Sequence, residues 1–504
     1  MSLAKLTLSK HFIKNKIDDR IYSSFLEHIG SAIYGGIYDP GHPKADKDGY
    51  RLDVLEQIQR LRLPAIRYPG GNFTCSYNWE DTIGPASQRP ARLELAWRQI
   101  EPNTFGIPEF MKWVKKAGAD PIFAVNMGTR DIKDAAEIVE YFNIEKGTYF
   151  SDLRRSHGQE EPYNVKMWCV GNENDGPWQI ARRRPDDYGW AVAESAKAMK
   201  RVDPSLELIA VGSSAPDIET FMEWDRQMLD AAYDYIDYVA LHQYAYEKEG
   251  QDLETYFCRA ADFEDQIHAM VSVCDYMKAR KHSKKTLYLS FDEYNVIAPS
   301  VDDYYEHMEI GYPIFHVHFT MRHALLFGML LMAMIRNSDR VRIACQSVLV
   351  NVSGLVNTEN GSGAWLNTTY YPMLHASLYG RGRVLYQEYA GPCFHNEKYG
   401  KVPAVDSIAV YREEEEEITV FAVNRTAEPV EFETAFHDFG TIEPIEHISM
   451  HHDNLEAVNN AENPGCVKPE TLHDIACDKN GISCPLPAYS WNVIRVSCKG
   501  GLER

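Results

Sequence analysis

One alternation, repeated eight times, constrains this chain more than anything else in it. Short apolar runs rich in β-branched and aromatic residues alternate with stretches whose apolar residues fall at helical spacing. The runs are 21–30, 65–68, 120–130, 165–173, 206–214, 237–246, 286–296 and 341–352. The helical stretches are 51–62, 107–118, 131–143, 187–202, 220–236, 252–281 and 318–337. In the first of these Val54, Ile58 and Leu61 share one face. Eight strand-then-helix units in about 360 residues predict parallel strands closed into a (β/α)8 barrel. A doubly wound open sheet is the rival. The count of eight and the lack of a GxGxxG fingerprint favour the barrel.

The flanks read differently. Residues 1–20 suggest an edge strand or two, Lys5–Leu8 and His11–Ile13. After about Arg383, VDSIAVYR, EEITVFAVNR, VEFETAFHDF, IEHISMHH and SWNVIRVSC alternate with period two and have no helices between them. That texture predicts an all-β sandwich. The predicted domains are therefore a segment 1–20 that joins the sandwich, a barrel at 21–382, and a β-sandwich, jelly-roll-like, at 383–504. The EEEEE run at 413–417 reads as a solvated hairpin turn.

Composition narrows the partners. The 504 residues carry a net charge of −21, which repels nucleic acid and anionic membranes. No signal peptide is evident, and the longest apolar run, Ala324–Ile335, is too short to span a bilayer. The 10 cysteines lack a CxxC pair and read as reduced thiols of a cytoplasmic protein.

In a (β/α)8 barrel the strand C-termini converge on the active site. Here they supply Glu27, Arg67, Asn72, Asn126, Asn172, Glu173, His242, Tyr244 and Glu293. Carboxylates, amides, an arginine and aromatics suit a neutral polyhydroxylated sugar. No metal constellation, phosphate cradle or GxSxG elbow accompanies them, so no metal or other cofactor is expected. MWCVGNENDGPWQ and LYLSFDEYNV each end an apolar strand in carboxylates. Two strand-end carboxylates about 5–5.5 Å apart are the equipment of a retaining glycosidase. Glu173 is assigned as acid/base and Glu293 as nucleophile, with Arg67 and Tyr244 orienting the latter. Several plainer readings compete. Asp292 points away from the lumen by strand alternation. Glu27 forms a buried ion pair with Arg67. His242 is a core histidine. His451-His452-Asp453 is a surface triplet without a metal.

The strings FLEHIGSAIYGGIYDPG, RYPGGNFTCSYNWEDTIGP, GTYFSDLRRSHG, MWCVGNENDGPWQI, LSFDEYNV and SWNVIRV resemble the α-L-arabinofuranosidases of glycoside hydrolase family 51. The resemblance runs over nearly the whole chain. It implies a retaining (β/α)8 barrel with a C-terminal β-sandwich. It also implies Glu173 as acid/base, Glu293 as nucleophile, and Glu27, Asn72, Asn172 and Tyr244 around the arabinofuranosyl unit, with Trp97 on the aglycone side. Cytoplasmic hexamers without cofactors are the implied assembly. The implied reaction is exo-release of terminal arabinofuranose from arabino- and arabinoxylo-oligosaccharides.

Three departures stand out. DEWNVW of the family pattern is DEYNVI here, so Ile297 replaces an indole. IACLAQLVNV is IACQSVLVNV, which puts Val348 in the slot of a sugar-binding glutamine and leaves Gln346, two residues earlier, to replace it. The loop Ala298–Tyr312 also departs from the pattern. These departures keep two alternatives open: the same chemistry on another glycone (a β-xylosidase or an endo-β-glucanase), and a catalytically silent sugar-binding protein.

Overall fold

The computed structural model describes residues 1–298, 307–359, 363–478 and 481–500. At its centre eight parallel strands close a barrel. They are β1 (Ser23–Phe25), β2 (Ala65–Tyr68), β3 (Asp120–Val125), β4 (Met167–Val170), β5 (Glu207–Ala210), β6 (Tyr238–Tyr246), β7 (Tyr288–Ile297) and β8 (Val341–Gln346). The predicted order of strands is thus the observed one. Several strands are shorter than the apolar runs that announced them, because each run continues past its last ladder hydrogen bond into a loop over the barrel mouth.

Among the described residues ten α-helices accompany it: α1 (Leu52–Leu61), α2 (Ile107–Ala117), α3 (Ile132–Asn143), α4 (Tyr149–Ser156), α5 (Pro185–Val202), α6 (Glu223–Ala232), α7 (Leu253–Phe257), α8 (Ala260–Arg280), α9 (Met321–Arg336) and α10 (Tyr370–Tyr379). Their ends follow local chemistry. Asp131 caps α3 by accepting from the Lys133 and Asp134 amides. In α2, Glu109 reaches back to the Gly106 amide at 2.9 Å, and Gly118 ends the helix at φ +78°. The periodicity missed α4 and α10, which are short. It also merged α7 with α8, which the chain separates at Cys258 and Arg259.

The N-terminal residues correct an expectation. They form a single strand, Ser2–Lys16, antiparallel to Arg383–Ala390 and parallel to Val430–His437. This strand lies inside a ten-stranded sheet and not at its edge. The rest of that sheet is all-β chain after Arg383, with Glu417–Asn424 paired between Val405–Arg412 and Ser490–Gly500. Leu6, Leu8, Val420, Phe432 and Ile494 form its own core. The glutamate run is only partly a solvated turn. Glu417 opens a strand and is buried in ion pairs with Arg412 at 3.1 Å and Arg495 at 2.7 Å.

The β domain docks on α9. Gly328 lies against the Trp491 ring, where a Cβ would come within 2.6 Å of it. The Trp491 indole is fully buried and donates to His375 Nδ1 at 3.0 Å. Arg336 extends the seam to Asp406 at 2.7 Å. Truncating a buried tryptophan costs about 3–5 kcal/mol. Trp491→Ala should therefore lower the calorimetric melting temperature by several degrees. An unchanged transition would mean that this seam contributes little to stability.

Candidate active site

The acid/base candidate leaves β4 through a sharp turn. Gly171 takes φ +107° and Glu173 φ +46°, and the Gly176 amide donates back to the Glu173 carbonyl at 2.8 Å. A left-handed glutamate is strained, and such strain is tolerated where the surroundings hold it. Here they do. The Trp178 indole donates to Glu173 Oε2 at 2.5 Å, and His242 Nδ1 meets Oε1 at 2.9 Å.

Glu293 stands opposite. Arg67 Nη1 donates to its Oε1 at 3.0 Å, and the Tyr244 hydroxyl donates to Oε2 at 2.7 Å. Tyr244 also meets Ser347 Oγ at 2.8 Å. Atoms of Glu173, His242 and Glu293 lie within 4.8 Å of one another. This is the one group among the described residues whose donors are compact enough to hold a metal ion. However, the imidazole at its centre is held charged. Burial opposes charge on His242, but Glu293, Asp292 and Glu173 outweigh it and raise its pKa well above the usual value. Both ring nitrogens are then donors, Nδ1 toward Glu173 and Nε2 toward Asp292 at 3.2 Å.

Asp292 corrects the alternation argument. It sits inside the barrel, 3.4 Å from Arg67 Nε, and accepts from Cys169 Sγ at 3.7 Å. Pairing of β7 slips between Ser290 and Glu293 against β6, and between Phe291 and Tyr294 against β8. That irregularity breaks the two-residue period, so neighbouring carboxylates both reach the lumen. Burial pushes the Asp292 pKa up, but Arg67 and His242 more than offset it and the net shift is downward.

The structure separates the remaining candidates. Arg67 Nη2 donates to Asn172 Oδ1 at 2.6 Å, and Asn172 Nδ2 to Asn72 Oδ1 at 3.3 Å. Glu27 does not pair with Arg67. Its Oε1 accepts from the Phe73 amide at 3.0 Å and the Trp97 indole at 2.8 Å. With burial dominant and Glu293 near, its pKa rises to about 8. Gly71 makes room for it, since a Cβ there would fall 1.9 Å from Glu27 Oε2. Trp97 is itself aimed by Glu94, whose carboxylate accepts from the Ala96 and Trp97 amides at 2.6 Å each. No motif in the sequence marked Glu94.

Gln346 is displaced from its expected role. Its oxygen accepts from Ser24 Oγ at 2.9 Å, and its nitrogen donates to the Val348 and Ser353 carbonyls at 3.0 and 3.2 Å. It is fully buried beneath the pocket, and Ser347 and Val348 form the wall instead. β8 ends at Gln346, so strand alternation no longer relates 346 to 348. Asn126 is also absent from the wall; it braces the loop after β3 through Tyr77, Gly128 and Thr129. Ile297 does line the pocket, whereas Tyr294 faces outward onto Phe327. Of the unusual loop, residues 299–306 lie outside the described residues. Among the described residues, His452 in the surface triplet bonds only the nearby Asn454.

Glu27, Asn72, Trp97, Glu173, Tyr244, Glu293 and Ile297 line a cavity of about 1250 Å³. Glu27 is neutral below about pH 8 and ionised above it. Ionisation adds a negative charge beside Glu293, so kcat/KM should fall as the pH passes 8. In Glu27→Gln, which keeps an acceptor and a donor but cannot titrate, that alkaline limb should move to higher pH. Identical limbs in the two pH–rate profiles would rule Glu27 out as the titrating group.

Comparison with known proteins agrees with this geometry. The model described as "Alpha-L-arabinofuranosidase 1 domain" matches residues 57–266, and "Alpha-L-arabinofuranosidase C-terminal domain" matches 292–490. The chain is 44% identical to the intracellular exo-α-(1→5)-L-arabinofuranosidase of Halalkalibacterium halodurans, over 98% of this chain and 99% of that one. It is likewise 44% identical to intracellular exo-α-(1→5)-L-arabinofuranosidase 1 of Bacillus subtilis, over 98% and 99%. Among solved structures, a family 51 α-L-arabinofuranosidase from Bifidobacterium longum superposes with a TM-score of 0.94 at 36% identity, covering 98% of this chain and 99% of its own. The chain belongs to the α-L-arabinofuranosidases of glycoside hydrolase family 51.

Proposed function

We propose that this arabinofuranosidase is exo-acting and retaining. It would release terminal arabinofuranose from arabino- and arabinoxylo-oligosaccharides by double displacement. The supporting observation is the separation of Glu173 and Glu293, whose nearest oxygens lie within 4.8 Å. Inverting enzymes need about 6.5–9.5 Å between carboxyl groups to admit a water, and retaining ones about 5–5.5 Å.

In the first half-reaction Glu293 attacks the anomeric carbon while Glu173 gives its proton to the departing glycosidic oxygen. The bond to the leaving sugar breaks and a glycosyl ester on Glu293 forms. In the second, Glu173 takes a proton from water, and the resulting hydroxide displaces Glu293 from the same face the leaving group vacated. Arg67 and Tyr244 hold the nucleophile's two oxygens through both steps. His242 holds Glu173 Oε1 and the Trp178 indole holds Oε2, so the carboxyl group that exchanges the proton is positioned at both oxygens.

The 44% identical relatives are named as intracellular. Among the described residues no helix is long and apolar enough to cross a membrane. A cytoplasmic enzyme fits the naming of these relatives, and a homo-oligomer, a hexamer by family likeness, is its expected assembly.

On an aryl α-L-arabinofuranoside, Glu173→Ala and Glu293→Ala should each lower kcat by about 10²–10⁴ or more. Nuclear magnetic resonance of the first product should show the α anomer. Undiminished turnover in both variants would sink the residue assignment, and a β product would sink retention.

A further inference from the structure

The Tyr244 hydroxyl has one proton and two neighbours within reach of it. Glu293 Oε2 lies 2.7 Å away and Ser347 Oγ 2.8 Å away. A carboxylate only accepts, whereas a serine hydroxyl both donates and accepts. With Glu293 as the nucleophile, the Tyr244 proton lies on Glu293. Ser347 then donates its own proton to the Tyr244 oxygen. The three groups form one directed chain, from Ser347 through Tyr244 to Glu293.

The surroundings of Ser347 are built for that donation. It follows the last residue of β8, is 5% exposed, and lines the cavity together with Tyr244. Its backbone is held on both sides. The amide donates to the Tyr294 carbonyl at 3.1 Å, and the carbonyl accepts from Ser353 Oγ at 2.9 Å and from Asn295 Nδ2. Asn295 is fully buried, and the same nitrogen donates to the Ser353 carbonyl at 2.8 Å. Among the described residues Tyr244 is the one hydrogen-bond partner of Ser347 Oγ. The position also departs from the family pattern, since IACLAQLVNV has alanine where IACQSVLVNV has Ser347. The change that put Val348 in the glutamine slot thus comes with a new hydroxyl one residue earlier, bonded to a residue that holds the nucleophile.

A hydroxyl that receives a hydrogen bond becomes a better donor, because bonds in a chain polarise one another. Through Tyr244, Ser347 therefore stabilises the charged form of Glu293. That charge changes in opposite senses in the two half-reactions. It is lost as the glycosyl ester forms. It returns when water bonds to the anomeric carbon, a water proton passes to Glu173, and the ester C–O bond breaks with its electron pair left on Glu293. Holding the charge favours the second half-reaction over the first.

We propose that Ser347 is a positioning residue that acts through Tyr244 to speed hydrolysis of the glycosyl ester. The proposal rests on the reading of Glu293 as nucleophile. The test measures kcat and KM on 2,4-dinitrophenyl α-L-arabinofuranoside. Its phenolate leaves readily, so ester hydrolysis limits kcat while kcat/KM reports ester formation. Ser347→Ala should lower kcat about three- to tenfold, the span of one hydrogen bond, and lower KM with it, so that kcat/KM stays at the native value. Ser347→Thr keeps the hydroxyl and should keep the native kcat. Tyr244→Phe has no phenol oxygen to receive the bond, so adding Ser347→Ala to it should cost nothing further. An unchanged kcat in Ser347→Ala, a fall in kcat/KM as large as that in kcat, or the same loss with and without the Tyr244 hydroxyl would overturn the proposal. Undiminished turnover by Glu293→Ala would overturn the underlying assignment instead.

Discussion

The structure depends most on how the barrel lumen neutralises its own charges. Arg67 and Asp292 are buried with Glu173 and Glu293, and charges so far from water persist only when they are paired. Arg67 answers Asp292 and Glu293, while charged His242 answers Asp292 and Glu173. Two cations therefore face three carboxyl groups. That mutual pairing is what makes charge at this depth of the barrel tolerable. Glu27 lies outside the lattice, and burial, with Glu293 near, raises it to about 8.

Achieving this lattice requires departures from regular geometry. A regular β7 would send Asp292 and Glu293 to opposite faces, and an unstrained β4 terminus would not place Glu173 against His242. The slipped pairing near 291–293 and the left-handed Glu173 repair both. Each irregularity sits where hydrogen bonds hold it: Trp178 and His242 at Glu173, Arg67 and Tyr244 at Glu293. A barrel of regular strands supplies rigidity, and its few irregular residues supply the chemistry.

These irregularities also explain what could be read in advance. The eight strands were legible because burial on both faces leaves continuous apolar runs, and Glu173 and Glu293 were legible because charge ending such a run is costly. Reasoning by alternation then failed at Asp292 and Gln346. The first follows a slip in register and the second closes β8, so period two does not extend across either. Glu94 carried no signal, because a carboxylate that caps two loop amides resembles any surface glutamate in sequence. The N-terminal strand was recognised, but its interior place was not, since sheet order is a property of partners distant in the chain.

Where the chain departs from its family pattern, the structure assigns different weights to the changes. Tyr294 faces the helical layer and packs on Phe327, so its exchange affects the core more than the sugar. Ile297 and Val348 line the cavity itself. Val348 cannot hydrogen-bond, and Gln346 beneath it has already committed its amide to Ser24, Val348 and Ser353. The wall on the β8 side therefore presents no side-chain amide to the cavity at 346 or 348. Glu173 and Glu293 keep their partners Arg67, Tyr244, Trp178 and His242 whatever stands at 297 and 348. The departures from the family pattern thus fall on the cavity wall and leave the paired charges of the lumen intact.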